Sequence, residues 1–165
     1  MTAPGGGTGT PNRVRVVWVG AREFDAGRPD GPLVRLDGDS ATGPSPVDAL
    51  LAALASCSGV DVVDILAKRR TPARALEIWV DGWRAEHATP RRIERIELDY
   101  RLQGEGDDIE REQAERAIAL ALEKYCTVRD ALAPGIPIQW RLTLNGEPGA
   151  SLVSEARSPH PAAAR

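Results

Sequence analysis

The sequence predicts an α+β fold of antiparallel strands and two well-separated helices. Three features carry that expectation. Short stretches such as residues 13–19 and 96–102 alternate polar and apolar side chains, the period of a strand with one buried face. One long apolar stretch with helical spacing begins at Pro46. The strands are grouped around the helices instead of alternating with them one by one, which favours α+β over a doubly wound parallel sheet. At 165 residues the chain is about one domain.

Residues 13–19 form the first expected strand, ended by Gly20. A turn-rich stretch follows Phe24, containing Asp25, Gly27, Pro29, Gly31 and Pro32, and Leu33-Val34-Arg35-Leu36 is a further strand stopped by the turn signal Asp37-Gly38. The chain therefore opens with a small antiparallel meander. Ser45-Pro46-Val47-Asp48 reads as a helix entry, with serine as N-cap, proline at the first helical position and an acid three residues after the cap. That helix is expected to reach Lys68 or Arg70, where Thr71-Pro72 stops it. Leu50, Leu54, Cys57, Asp61 and Asp64 share one face of it, and its first half is apolar nearly all round, which implies burial on most sides at the centre of the domain.

Residues 76–84 alternate, with Gly82 suggesting a bulge, and residues 93–102 form the next strand. Asp107 or Asp108 is placed to cap a second helix over about residues 109–125, whose apolar stripe is Ala114, Ala117, Ile118, Ala121 and Leu122. A short helical turn is expected at 128–132, a break at Pro134-Gly135, and a last strand at 136–144. Residues 1–12 and 147–165 are rich in Gly, Pro, Ser and Ala without periodicity and are expected to be flexible tails, leaving a domain at 13–146.

A net charge of −3 and a pI near 5.5 argue against nucleic-acid binding, which leaves a basic footprint. No apolar run is expected to supply the roughly 20 residues of a membrane span, and no secretory signal is visible, so a soluble cytoplasmic protein without a membrane partner is anticipated. His87 and His160 are the only histidines and stand far from the cysteines, which gives no metal cluster. His87 is expected at the surface. Trp18, Trp79, Trp83 and Trp140 are expected in the core or at a dimer seam, and the charges Glu110, Arg111, Glu112, Glu115 and Arg116 on a solvated helix face.

The two cysteines remain. Cys57 lies mid-way along the first helix and Cys126 closes the second. By composition each could be a small buried hydrophobe. In a reducing compartment, two thiols that meet in the fold form a working redox couple more readily than a structural disulfide.

Residues 45–57, Ser-Pro-Val-Asp-Ala-Leu-Leu-Ala-Ala-Leu-Ala-Ser-Cys, resemble the central-helix signature of the OsmC/Ohr family (osmotically inducible protein C and organic hydroperoxide resistance protein). Residues 123–128, Glu-Lys-Tyr-Cys-Thr-Val, are similar to its second-cysteine motif, and the element order over 13–144 fits as well. The resemblance implies an OsmC-like fold, with sheets around a long central helix in an intertwined homodimer whose active sites lie at the subunit interface. It implies reduction of organic hydroperoxides without metal or flavin. Cys57 would be the peroxidatic thiol and Cys126 the resolving one, and a small or protein-bound dithiol would be the reductant. A redox-sensing or hydrophobic-ligand-binding protein on the same fold is the alternative.

The family activates its first cysteine with an arginine held by a glutamate ten residues upstream, and that position is Val47 here. Asp48 stands nine residues before Cys57, which at about 100° per residue puts it on the opposite side of the helix. Asp48 therefore reads as the capping acid. Asp61, one turn beyond Cys57, would raise the thiol pKa unless it holds a cation. Arg22, Arg35 and Arg129 are the candidate arginines, and Arg22 is favoured because the family's arginine lies in the N-terminal meander.

Overall fold

The computed structural model of the chain describes residues 10–105 and 108–154. The chain divides into two compact units, residues 1–49 and 50–165.

The N-terminal unit is a three-stranded antiparallel sheet, β1 (Arg15–Gly20), β2 (Glu23–Gly27) and β3 (Leu33–Asp37), in sequence order. The middle strand occupies residues whose composition suggested a turn-rich stretch. Register explains why it forms. Trp18, Phe24 and Leu36 stand side by side, as do Val16, Ala26 and Val34, so one face of the sheet is wholly apolar. On the other face Arg35 donates to Asp25 at 2.6 Å and to Glu23 at 2.8 Å across the strands. The loop after β3 is organised by Asp37. Its carboxylate accepts the backbone N–H groups of Asp39, Ala41 and Thr42 at 2.9–3.0 Å. Those donors, the Asp39 and Thr42 amides foremost, hold its pKa down at about 2.

Helix α1 (Pro46–Lys68) opens with the expected capping box: Ser45 N–H donates to the Asp48 carboxylate at 2.9 Å, and Asp48 N–H donates to Ser45 Oγ at 3.2 Å. It closes with Arg70 in the left-handed region (φ 64°) and the Thr71 N–H reaching back to the Leu66 carbonyl, a geometry that usually takes glycine. At 23 residues, with a mean hydropathy of 1.8 over its most apolar 18-residue window, α1 is long and apolar enough by length and composition to cross a membrane. That corrects the expectation that no run would suffice. The second correction concerns its burial. Leu51, Leu54, Ala55, Ser58, Gly59, Val62 and Leu66 are buried, whereas Leu50, Val60 and Val63 are exposed. One face is covered, where burial on most sides was expected.

The second unit is built on a four-stranded sheet, β4 (Ala75–Arg84), β5 (Ile93–Gln103), β6 (Ile138–Leu144) and β7 (Glu147–Ser154), in that order. Its outer pairs are antiparallel, but β5 and β6 run parallel. The expectation of purely antiparallel sheets is corrected there, because the segment joining β5 to β6 is a helical crossover of the kind a parallel pair requires. That crossover holds α2 (Arg111–Leu120), a π-helical turn (Ala121–Tyr125) and α3 (Thr127–Ala131). Helix α2 starts later than expected. Glu110 is its N-cap without a side-chain hydrogen bond, Asp108 is not the cap, and Asp107 lies outside the described residues. Ile109 is instead buried against Gly104, where a Cβ would stand 2.9 Å from its Cγ1.

The core joins α1 to Ile96, Leu98, Tyr100 and Leu102 of β5, to Ile138, Trp140 and Leu142 of β6, and to Ala114, Ala117 and Ile118 of α2. Gly82 is no bulge. It pairs regularly with Ile96, and the irregularity falls between Trp83 and Arg84. Its missing Cβ makes room for Leu51, whose methyls would lie 2.9 Å away. Gly59 does the same for Ile78. Of the tryptophans only Trp140 is in the core. Trp18, Trp79 and Trp83 are exposed, the last two under the guanidinium groups of Arg101 and Arg95 at 4.9 and 3.7 Å from the ring centres. His87 is at the surface as expected. Arg111 is more than a solvated charge, since it donates to the carbonyls of Leu142 and Glu147.

The expected C-terminal tail begins too early at 147. Asn145 (φ 50°) and Gly146 (φ 89°) form a two-residue turn with both φ values positive, and β7 follows as a paired edge strand. The remainder of that tail, 155–165, and residues 1–9 lie outside the described residues.

Candidate functional site

Cys57 enters the site from the middle of α1. Ser58 and Gly59 face the sheet and Ser56 faces outward, so Cys57 sits on the border and is half-buried. Cys126 comes from the end of the crossover and is fully buried. The π-turn before it is closed by the Cys126 N–H donating to the Ala121 carbonyl at 2.9 Å, one residue wider than an α-helical bond. Such turns re-aim the chain beyond them and recur at functional sites. Cys126 then serves as N-cap of α3, its Sγ accepting the Arg129 N–H at 3.3 Å.

The two thiols are both free, and they meet: Cys57 is a side-chain hydrogen-bond neighbour of Cys126. Burial pushes the Cys126 thiol up to about 11, and the Cys57 thiol adds to the rise. The Arg129 and Val128 amides of α3 oppose it, as donors at a helix start should. Next to Cys57, Ser58 and Tyr100 are both fully buried and hydrogen-bond at 2.7 Å. Burial holds the Tyr100 phenol far above its ordinary range, and the charge that Cys126 would carry as a thiolate works the same way. Cys57, Ser58, Tyr100 and Cys126 therefore form one cluster drawn from α1, β5 and the crossover.

The candidate arginines fall in different places. Arg129 is buried, at 5 % exposure, on the turn that Cys126 caps. Arg22 lies in the N-terminal unit, where it pairs with Asp39 at 2.7 Å and both partners are open to solvent. Arg35 is held by Asp25 and Glu23. Asp48 occupies the capping box, and Asp61 is half-exposed one turn beyond Cys57. An apolar cavity of about 700 Å³ runs along the same helix, lined by Ala52, Ser56, Gly59 and Val63 of α1 and by Ile78 and Val80 of β4. Among the described residues, no three His, Cys, Asp or Glu side chains gather as metal ligands.

Comparison with known proteins places the chain that carries this thiol pair. The family model described as OsmC-like protein matches residues 37–141. The chain belongs to the OsmC-like family. It is 34 % identical over 127 residues to protein YhfA of Escherichia coli (strain K12), covering 76 % of this chain and 92 % of YhfA. A hypothetical protein of Aquifex aeolicus VF5 shares the fold with a TM-score of 0.70 and 29 % identity, over 82 % of this chain and 98 % of that one. The organic hydroperoxide resistance protein OhrB of Bacillus subtilis superposes with a TM-score of 0.52 at 18 % identity, over 81 % and 96 % of the two chains.

In this OsmC-like chain the sequence identified both thiols but not Ser58, Tyr100 or the π-turn. Ser58 could have been found as the single hydroxyl on the buried face of an apolar helix. Tyr100 could have been found as the polar-tipped residue in an otherwise aliphatic row on β5.

Proposed function

We propose that the protein is a cytoplasmic, homodimeric, thiol-dependent peroxidase that reduces organic hydroperoxides to alcohols. The observation that carries this reading is the contact between a half-exposed thiol, Cys57, and a buried one, Cys126. The buried thiol stays protonated at neutral pH and is shielded from substrate, so the reachable Cys57 is the nucleophile. Its thiolate attacks the distal peroxide oxygen and the O–O bond breaks. The alkoxide leaves and takes up a proton as the alcohol, and Cys57 becomes a sulfenic acid. Cys126 then displaces hydroxide to form the disulfide, and an external dithiol reopens it by exchange. The apolar cavity along α1, lined by Ser56 one residue before Cys57, has the size and polarity to suit a hydrophobic hydroperoxide.

Arg129 and Arg22 are the two candidates for activating Cys57. Arg129 shares a turn with Cys126, and Arg22 is the residue suggested by the family pattern. The dimer is supported by apolar surface left open on a single chain: Val60 and Val63 on α1, and the face of the N-terminal sheet that carries Val16, Trp18 and Val34. A second reading, a redox sensor on the same fold, is favoured by Val47 in place of the family's glutamate and by the commitment of Asp48 to the helix cap.

The test is consumption of cumene hydroperoxide with a dithiol reductant, for wild type, Cys57→Ser and Cys126→Ser. A wild type no faster than Cys57→Ser sinks the enzyme reading. Arrest of Cys126→Ser after one turnover, with a trappable sulfenate, supports the assigned roles.

A further inference from the structure

The Ser58–Tyr100 hydrogen bond ties the Cys57 turn of α1 to the sheet beneath it, and its direction follows from counting protons. Ser58 Oγ lies 3.1 Å from the Leu54 carbonyl and 3.0 Å from the Ala55 carbonyl, and these can only accept. The single Ser58 proton is therefore spent within the helix, so the Tyr100 hydroxyl must donate to Ser58. A close approach beside the pair holds the helix to the sheet. Gly59, the next residue, lets Ile78 of β4 reach the helix backbone, and Ile78 is the register partner of Tyr100. Both hydroxyls are fully buried, so losing either leaves its partner without the bond in a site water does not reach.

We propose that Ser58 and Tyr100 are positioning residues for disulfide closure, pinning the turn of α1 that carries Cys57 over the Cys126 sulfur. The proposal rests on the peroxidase reading, in which Cys126 resolves the Cys57 sulfenate. In that step the electron pair of Cys126 Sγ forms the S–S bond, the Cys57 S–O bond breaks, and the departing hydroxide leaves with the Cys126 proton as water. The two sulfurs come from elements far apart in sequence, so the reaction depends on how firmly α1 is held against β5. Apolar packing fixes the distance between helix and sheet but allows sliding and rotation, whereas a directional bond one residue from the nucleophile does not.

Closure is followed in Tyr100→Phe, Ser58→Ala and wild type in two arms, with Leu144→Ala as a control that loosens the core at the C-terminal end of β6 while leaving both hydroxyls in place. In the first arm diamide oxidises the reduced protein, and the loss of free thiols reports disulfide formation without any peroxide chemistry. In the second arm one equivalent of cumene hydroperoxide is added, and dimedone traps sulfenate against time. The expected result is closure about tenfold slower in Tyr100→Phe and Ser58→Ala in the first arm, since small misplacements of reacting groups cost up to about a hundredfold. Leu144→Ala should close at the wild-type rate. In the second arm the two variants should form sulfenate at the wild-type rate and accumulate it. Wild-type closure rates in both variants overturn the proposal, as does equal slowing in Leu144→Ala. Slow closure with diamide and no sulfenate in any protein upholds the positioning role while removing the peroxidase reading.

Discussion

The buried Cys126 thiol gives the folded protein an alkaline weakness that can be measured. Its pKa is raised on folding from an ordinary 9.0 to about 11, mainly by burial. The unfolded chain therefore releases this proton first. Stability from this group is whole below the ordinary value and is lost as the pH rises through about 11. At about 1.36 kcal/mol per pH unit, the loss is about 1 kcal/mol at about pH 10 and about 3 kcal/mol once the window is crossed. Urea unfolding under reducing conditions, followed through the buried Trp140, measures it in wild type and Cys126→Ala. The alanine variant is less stable throughout because of its cavity, but that cost is the same at every pH and drops out of the comparison. Wild type should lose about 1 kcal/mol more than Cys126→Ala between about pH 8 and about pH 10. Parallel profiles would refute the reasoning and show that the thiol is not held in its neutral form by burial.

Asp48→Ala removes the capping carboxylate and should cost about 1 kcal/mol in thermal unfolding while leaving the rate of Cys57 sulfenate formation unchanged; a collapse of that rate would make Asp48 catalytic. Gly82→Val drives a side chain into the Leu51 methyls, so about 1–3 kcal/mol of stability should be lost, read from the urea midpoint. Arg129→Lys and Arg22→Lys, compared by the rate and pH profile of sulfenate formation, assign the activating cation: the variant that slows the step and moves its profile to higher pH identifies it.

How much of the fold and the site is legible in the sequence varies with the length scale of the signal. The capping box, the extent of α1 and the strict alternation of β5 are local, and each is where the sequence places it. Asp48 is instructive, because rotation along a helix is enough to separate a cap from a catalytic acid. Strand β2 is obscured because Asp25 and Gly27 look like turn residues until Arg35 and Gly27's close neighbour Pro32 are brought alongside. The C-terminal strand is legible in Asn145-Gly146, a strong hairpin signal that the tail-like composition beyond it masks. The parallel pairing of β5 with β6, the meeting of Ser58 with Tyr100 and the anchoring of Arg111 join residues 31–42 positions apart. No periodicity carries such information.

Cys126 is at once a candidate reactant and the side-chain cap at the head of a five-residue helix. A segment that short does not persist alone in water, so residues 127–131 borrow part of their order from one sulfur's lone pair. When that sulfur bonds Cys57, the S–S bond fixes where its lone pairs point relative to the Arg129 amide, and the ordering of the segment becomes a function of oxidation state. Hydrogen exchange at Val128 and Arg129 would then count disulfides as faithfully as a thiol titration does.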